Sequence, residues 1–493
     1  MDLTLSDLPL APAVDQVAAV KNGVVSAADL LEATLARYER FNPDLNAIVV
    51  TSLDEARARA VELDAAAAAG QPLGPLHGLP MTIKEAFNWA GKPTTWGYPA
   101  MADNIADDNA TMVQRLHDAG AVIYGKTNVP ISLGDWQSFN EIYGTTNNPW
   151  DLSRSPGGSS GGSAAALAAG MAGLELGSDI GASIRNPAHY CGVFGHKPTF
   201  DLLPMTGHSL PGSHPLIDIG VVGPLARSAA DLDLALDVLA GPDRFNAVGY
   251  RIDLPSEPRT ELSQFKVGVM LESPVLTQDD ELTAQLTASV AALEQAGLQV
   301  HWDAKPDIDQ IAAHENYLVL LRAALAAFVV EDDLGPHEAA AERYRAGDRD
   351  YRAIAGRGIT ISHRHWWHAS NERENLRGKW AEFFNDYDLL LCPIAASAAI
   401  MHDHVGERPE RTIAVNGGRQ PGIDQMFWAG WSCNVYLPAT MAPVGVTASG
   451  LPVGLQIVAP HLHDRRSIAF AGLIERELGG FVPPPGYEAL PAR

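Results

Sequence analysis

The stretch Gly157-Gly-Ser-Ser-Gly-Gly-Ser163, followed at once by the run Ala164 to Ala169, constrains this chain more than any other. At about 7% each for Gly and Ser, a specified seven-residue string of these types arises by chance about once in 10^8 positions. Flexible linkers share this composition, but they lie in polar, disorder-prone surroundings. Here the string runs into an alanine-rich helix former and then the apolar, strand-like Leu174-Glu-Leu176. It therefore belongs to a packed core, where glycine lets backbone approach reacting atoms closely. A second element, Gly177-Ser-Asp-Ile-Gly-Ala-Ser183-Ile-Arg185, follows directly.

Composition bounds the rest. With 493 residues, 46% of them hydrophobic and 19% charged, the chain is a packed globule. At about 150 residues per domain its length allows three domains or one large α/β unit. Lys and Arg total 35 against 59 Asp and Glu, a net charge of -24. Such a surface repels phosphate backbones and anionic headgroups, so neither nucleic acid nor membrane is expected as a partner. The longest apolar stretch, Ala164 to Leu174, is too short to span a bilayer, which needs about 20 residues. The acidic start Met-Asp-Leu-Thr-Leu-Ser-Asp lacks the basic and apolar regions of a secretory signal, and a cytoplasmic location is expected. Cys191, Cys392 and Cys433 are too far apart for a Cys-x-x-Cys motif and read as small packing residues.

Along the chain, residues 1–73 read as a helical lead segment. Ser26-Ala-Ala-Asp29 starts a helix that Asn42-Pro43 is expected to end, and a second helix covers Leu53 to Ala69. Residues 74–260 form the core region, and from Gly74 to about Pro204 short runs such as Met81 to Ile83 and Ala121 to Tyr124 alternate with turns, the texture of strands covered by helices. Phe265 to Leu271, Leu298 to Trp302 and Asp388 to Cys392 read as further strands, with a helix over Asp280 to Gln295. Residues 306–386 are mainly helical, including Tyr317 to Val330 and Ser362 to Tyr387, and 387–493 return to the core. No charged linker or repeat divides the chain, which favours one large domain.

Three patterns invite other chemistry. Gly120-Ala-Val-Ile-Tyr-Gly-Lys-Thr127 fits the Walker A spacing, yet its interior is strand-like and Pro130 follows too soon for a phosphate-binding helix start. His363, His365 and His368 cluster beside Trp366 and Trp367, but no helical Glu or His completes a zinc-motif spacing, so a packed helix face is expected and no metal. Gly157 to Gly161 also matches G-x-S-x-G, although Asp151-Leu-Ser-Arg-Ser-Pro156 is no strand to carry a nucleophile elbow.

Lysine usage adds the next element. Of eight Lys, Lys84 ends the apolar run Leu79-Pro-Met-Thr-Ile83. Desolvation lowers a lysine pKa, and a neutral lysine serves as general base; on this residue alone, a side chain snorkelling from a strand end competes. Together, Leu79 to Glu85, Gly125-Lys-Thr-Asn128, Gly157 to Ser163 and Gly177 to Ala188 resemble the motifs of the amidase signature family. The similarity runs from about Ser26 through Gly450 to Val458, and accounts for the Walker-like string.

The resemblance implies one large α/β domain, its mixed central sheet covered by helices on both sides, and a Ser-cisSer-Lys serine hydrolase without metal or cofactor. Ser183 is then the nucleophile, and Ser159 bridges it to a neutral Lys84 across a cis Gly158–Ser159 peptide. The backbone N–H groups of Ile180, Gly181, Ala182 and Ser183 form the oxyanion hole. The family most often has Gly where this chain has Ala182, which bears on the geometry of that hole. Ser160, Ser163, Asp179 and Arg185 read as loop scaffold.

The implied activity is hydrolysis of a carboxylic amide, with esters or carbamates as side substrates. One alternative is the amidotransferase A-type subunit that releases ammonia from glutamine for a partner. Asn186 stands where those subunits usually have Gln, and Phe427 to Asn434 does not resemble their glutamine-binding segment. The other is a catalytically silent binding protein, which the intact Lys84, Ser159 and Ser183 disfavour. Variable segments Ile131 to Ser138, Gly207 to Leu216 and about His314 to Trp367 are expected to wall the pocket, and their aromatic content leans towards a hydrophobic or aryl substrate. A homodimer is compatible with the sequence.

Overall fold

The computed structural model describes residues 4–213, 216–347 and 349–490. One eleven-stranded sheet runs through the molecule. Its strands are β1 (Ile48–Thr51), β2 (Pro80–Lys84), β3 (Val122–Thr127), β4 (Glu175–Asp179), β5 (Phe194–Lys197), β6 (Val221–Ala226), β7 (Lys266–Val269), β8 (Gln299–Trp302), β9 (Leu389–Cys392), β10 (Ala439–Val446) and β11 (Pro452–Val458). The spatial order is β1-β3-β2-β4-β6-β5-β10-β11-β9-β7-β8. β3, β2 and β4 run parallel, as do β9, β7 and β8, while β6, β5, β10 and β11 pair antiparallel. The sheet is therefore mixed, in an α/β fold, and strands from both ends of the sequence meet at its centre.

Strand alternation sorts side chains between two cores. Met81 and Ile83 of β2 pack in one, with Leu116, Leu236, Leu286 and Ile474 from the helices Thr111–Asp118, Ala229–Leu239, Asp280–Gln295 and Asp464–Leu478. Thr82 and Lys84 consequently point to the opposite face, where the helices Ala27–Leu45, Leu53–Ala68, Gly161–Ala168 and Gln310–Leu325 pack. Helix Gly161–Ala168 is buried along its whole length, which its small side chains allow. A Cβ on Gly162 would stand 2.4 Å from the Asn128 backbone nitrogen, so no larger residue fits there.

Several boundaries differ from the sequence reading. The first long helix continues through Pro43 to Leu45 and ends on Asn46 in the left-handed conformation (φ 49°). Proline in a last turn removes only one hydrogen bond, and the Asn42 side chain accepts from the Ala47 and Ile48 N–H groups, tying the helix end to β1. β1 itself was hidden in the helical lead segment. The stretch Tyr317 to Val330 instead begins its helix at Gln310, capped by Asp309, and leaves it at Leu325. The Walker-like string is strand β3; its Lys126 is buried, with Nζ against Thr94 Oγ1 at 2.9 Å and the Pro93 carbonyl, and no phosphate cradle exists there. No helix of the described residues is long and apolar enough to cross a membrane.

Candidate active site

Parallel pairing of β2 with β4 sets the site. Ile83 lies opposite Leu176, so Lys84 at the C-terminal end of β2 comes alongside Ser178 of β4. The Gly/Ser string crosses in front of both, and Ser160 N–H donates to the Ser183 carbonyl at 3.1 Å, locking it to the loop after β4. Lys84 Nζ lies 2.6 Å from Ser159 Oγ, 2.9 Å from Ser178 Oγ and 3.0 Å from Ser160 Oγ. The side chain is fully buried. Burial brings its pKa down to about 7, against a smaller opposing pull from Asp179. The Gly158–Ser159 peptide is cis. A Cβ on Gly158 would stand 2.4 Å from the Asp135 carbonyl, so only glycine permits this packing.

The loop Ile180–Arg185 is held from several sides. Asp179 accepts from the Ala182 N–H (2.9 Å) and the Ile184 N–H (3.0 Å), and Arg185 clamps it bidentately at 2.8 and 3.0 Å. Burial alone would raise the Asp179 pKa, but Arg185 carries it down to about 2. Arg185 is secured in turn by Ser432 and Gln456. The carbonyl of Gly181 accepts from Trp136 Nε1 at 2.7 Å and that of Ile180 from the Tyr317 hydroxyl at 2.9 Å. With those carbonyls pinned, the N–H groups of Ile180, Gly181 and Ser183 make no hydrogen bond among the described residues. The Ala182 N–H, one of the four expected donors, is taken up by Asp179. Ala182 has φ 71°, the left-handed region that favours glycine.

Ser159, Ser183, Ile180 and Gly181 line one cavity of ≈740 Å³ of empty volume, counting its mouth. No hydrogen bond joins the Ser183 and Ser159 hydroxyls; both residues line this cavity. Trp96, Leu133, Trp136, Met205, Leu321 and Met426 supply apolar wall. All three variable segments contribute to the cavity, through Ser132 to Gly134, His208, and Leu321, Arg322 and Leu325; residues 214 and 215 of the second lie outside the described residues. Sequence reasoning missed Ser178 and Ser160 as lysine contacts, although Ser178 stood in the quoted motif two strand positions beyond the residue that pairs with Ile83. It also missed Arg408, which lies outside the three expected wall segments, and within them it did not single out His208 or Arg322.

The other candidates sit elsewhere. His363, His365 and His368 lie on the helix His363–Asp386, His363 stacked on Trp366. Among the described residues no group of three His, Cys, Asp or Glu side chains is arranged to hold a metal ion. The three cysteines are buried and free.

The amidase family model matches residues 29–468. This chain belongs to the amidase signature family. An acylamidase of Rhodococcus erythropolis is 36% identical over 478 residues, covering 94% of both chains. The A-type subunit of a glutamyl-tRNA(Gln) amidotransferase from Synechococcus is 32% identical, covering 96% of this chain and 97% of that one. Among solved structures, a bacterial aryl acylamidase of the amidase signature enzymes superposes with a TM-score of 0.79 at 25% identity, over 95% of this chain and 96% of the other. The chain is a hydrolase of carbon–nitrogen bonds, an amidase.

Proposed function

We propose that this amidase works through a Ser183 acyl-enzyme, with Ser159 and neutral Lys84 as its proton relay. The observation that carries the reading is the fully buried Lys84 Nζ ringed by three serine hydroxyls and no carboxylate. A neutral amine has two N–H donors and one lone pair. Ser160 Oγ directs its proton to the Ser178 carbonyl, so it accepts from the lysine. Assigning Ser178 as the second acceptor leaves the lone pair for Ser159, at the shortest distance. As Ser183 Oγ bonds to the amide carbon, its proton passes to Ser159 and that of Ser159 to Lys84. The carbonyl oxygen takes up the displaced electron pair and is met by the free N–H groups of Ile180, Gly181 and Ser183. Reversal of the relay protonates the departing amine, and water then releases the acid.

The apolar cavity wall supports a small amide with a hydrophobic or aryl part as substrate. The acidic surface supports a cytoplasmic enzyme independent of nucleic acid and membranes, and sedimentation would reveal any homodimer. An amidotransferase-type role finds support in the 32% identity to the Synechococcus amidotransferase relative. Turnover of simple aryl amides by the purified chain alone separates the two readings. The deciding test of the mechanism is mass spectrometry after brief exposure to an activated amide. Wild type is expected to carry an acyl adduct on Ser183 and Ser183→Ala none; an adduct elsewhere, with Ser183→Ala still active, removes the assignment.

A further inference from the structure

The active-site cavity has an uneven charge. Its one acidic lining residue, Asp179, is spent on Arg185 and the loop N–H groups. Two guanidiniums, Arg322 of helix Gln310–Leu325 and Arg408, line the same cavity. Neither makes an ion pair among the described residues. Arg322 contacts the Tyr351 hydroxyl, and its Nε is buried without a partner. Arg408 donates to the Gly134 carbonyl at 2.8 Å and sits 3.4 Å from Met426 Sδ. Neighbouring arginines are treated differently: Arg352 is paired with Glu407 and Glu410, and Arg411 with Asp135, the carboxylate that would otherwise serve Arg408. In a chain of net charge -24, two cations in one cavity that form no ion pair, Arg408 feeling Asp135 only at longer range, are conspicuous. Burial and the nearby Arg408 lower the Arg322 pKa only to about 10, so it stays charged at neutral pH.

We propose that Arg322 and Arg408 form an anion subsite, and that the preferred substrate is an amide whose apolar body ends in a carboxylate. This deepens the acyl-enzyme reading and rests on it. The cavity's apolar side takes the body of the molecule, while the planar guanidiniums suit a carboxylate. The anion can enter on the acyl or the amine side of the scissile bond.

Two matched substrate pairs distinguish these: 4-carboxybutanoyl-p-nitroanilide against its methyl ester, and N-butanoyl-4-aminobenzoate against N-butanoylaniline. With charge-assisted hydrogen bonds at stake, kcat/KM for the acid is expected to exceed that for the neutral partner by about tenfold or more in one pair, mainly through KM. The ratio should fall to about threefold or less in Arg322→Met/Arg408→Met and partly recover with lysine at both positions. Equal kcat/KM within both pairs for the wild-type chain overturns the subsite, and this comparison requires no variant to fold. If none of the four substrates is turned over and Ser183 acquires no acyl adduct, the acyl-enzyme reading fails and the subsite with it.

Discussion

Two lysines, Lys84 on β2 and Lys126 on β3, are fully buried on adjacent parallel strands, with Ile83 opposite Lys126 and Lys84 opposite Thr127. Burial lowers both, Lys84 to about 7 and Lys126 to about 8. Their surroundings differ. Lys126 meets a carbonyl and the Thr94 hydroxyl and feels the charge of Glu85, whose carboxylate accepts from the Thr95 and Trp96 N–H groups. Such a lysine braces a turn. Lys84 meets only hydroxyls, groups that can both give and take a proton, and two of them, Ser159 and Ser178, border the cavity. Desolvation alone therefore leaves the two lysines alike; in the proposed relay it is the proton-carrying capacity of its neighbours that sets Lys84 apart.

Exchange of each lysine is the most direct way to break this comparison. Lys84→Ala is expected to lower kcat/KM by about 10³-fold, at the scale of lost general acid–base catalysis, with little loss of fold by circular dichroism. Lys126→Ala removes the donor to the Pro93 carbonyl and the Thr94 hydroxyl together with the charge that faces buried Glu85, and is expected to lower the thermal midpoint, at a cost of about 2 kcal/mol. Its folded fraction should retain kcat/KM within about tenfold of wild type, about two orders of magnitude or more above Lys84→Ala. Equal kinetic losses for the two variants, at temperatures where both are folded, would remove the distinction.

The pH profile separates them next. In the proposed relay acylation needs neutral Lys84, so kcat/KM should rise with pH through about 7 and then level. Lys126 titrates within about one unit of it. Glu85→Gln removes the charge that favours protonated Lys126, and that lysine's pKa then falls. The kinetic limb should stay at about 7 in Glu85→Gln; a limb that follows the substitution would assign it to Lys126 instead.

The same pair shows how much was legible in the sequence. Both lysines lie in quoted motifs, and both strands were readable from apolar runs, Met81 to Ile83 and Ala121 to Tyr124. Lys84 stood out because it ends such a run, and the Gly/Ser string because its composition is improbable. Ser178 did not stand out, since its approach to Lys84 depends on the β2–β4 register, a pairing between strands some 90 residues apart in sequence. Nor could Ala182 be assigned its bond to Asp179, because that follows from a left-handed residue in a loop closed by Arg185. Arg322 and Arg408 lie in segments with no motif, and only the folded helix Gln310–Leu325 carries the first of them to the cavity. Local pattern thus located the residues of the candidate site, and the long-range register determined their neighbours.

The finest test removes one hydroxyl from each lysine. Ser160→Ala deletes an acceptor 3.0 Å from Lys84 Nζ, and Thr94→Val one 2.9 Å from Lys126 Nζ. A hydroxyl accepting from lysine stabilises the ammonium more than the amine, so its loss lowers the lysine pKa. For Ser160→Ala the acid limb of kcat/KM should therefore move to lower pH. Its plateau should fall only about fivefold, the scale of one hydrogen bond of about 1 kcal/mol that positions the amine. Thr94→Val makes the corresponding change at Lys126 and should leave limb and plateau where they are, with a small drop in thermal midpoint as its only trace. A limb displaced by Thr94→Val and untouched by Ser160→Ala would mean that the kinetically visible proton resides on Lys126, and that hydroxyl neighbours do not mark the working lysine.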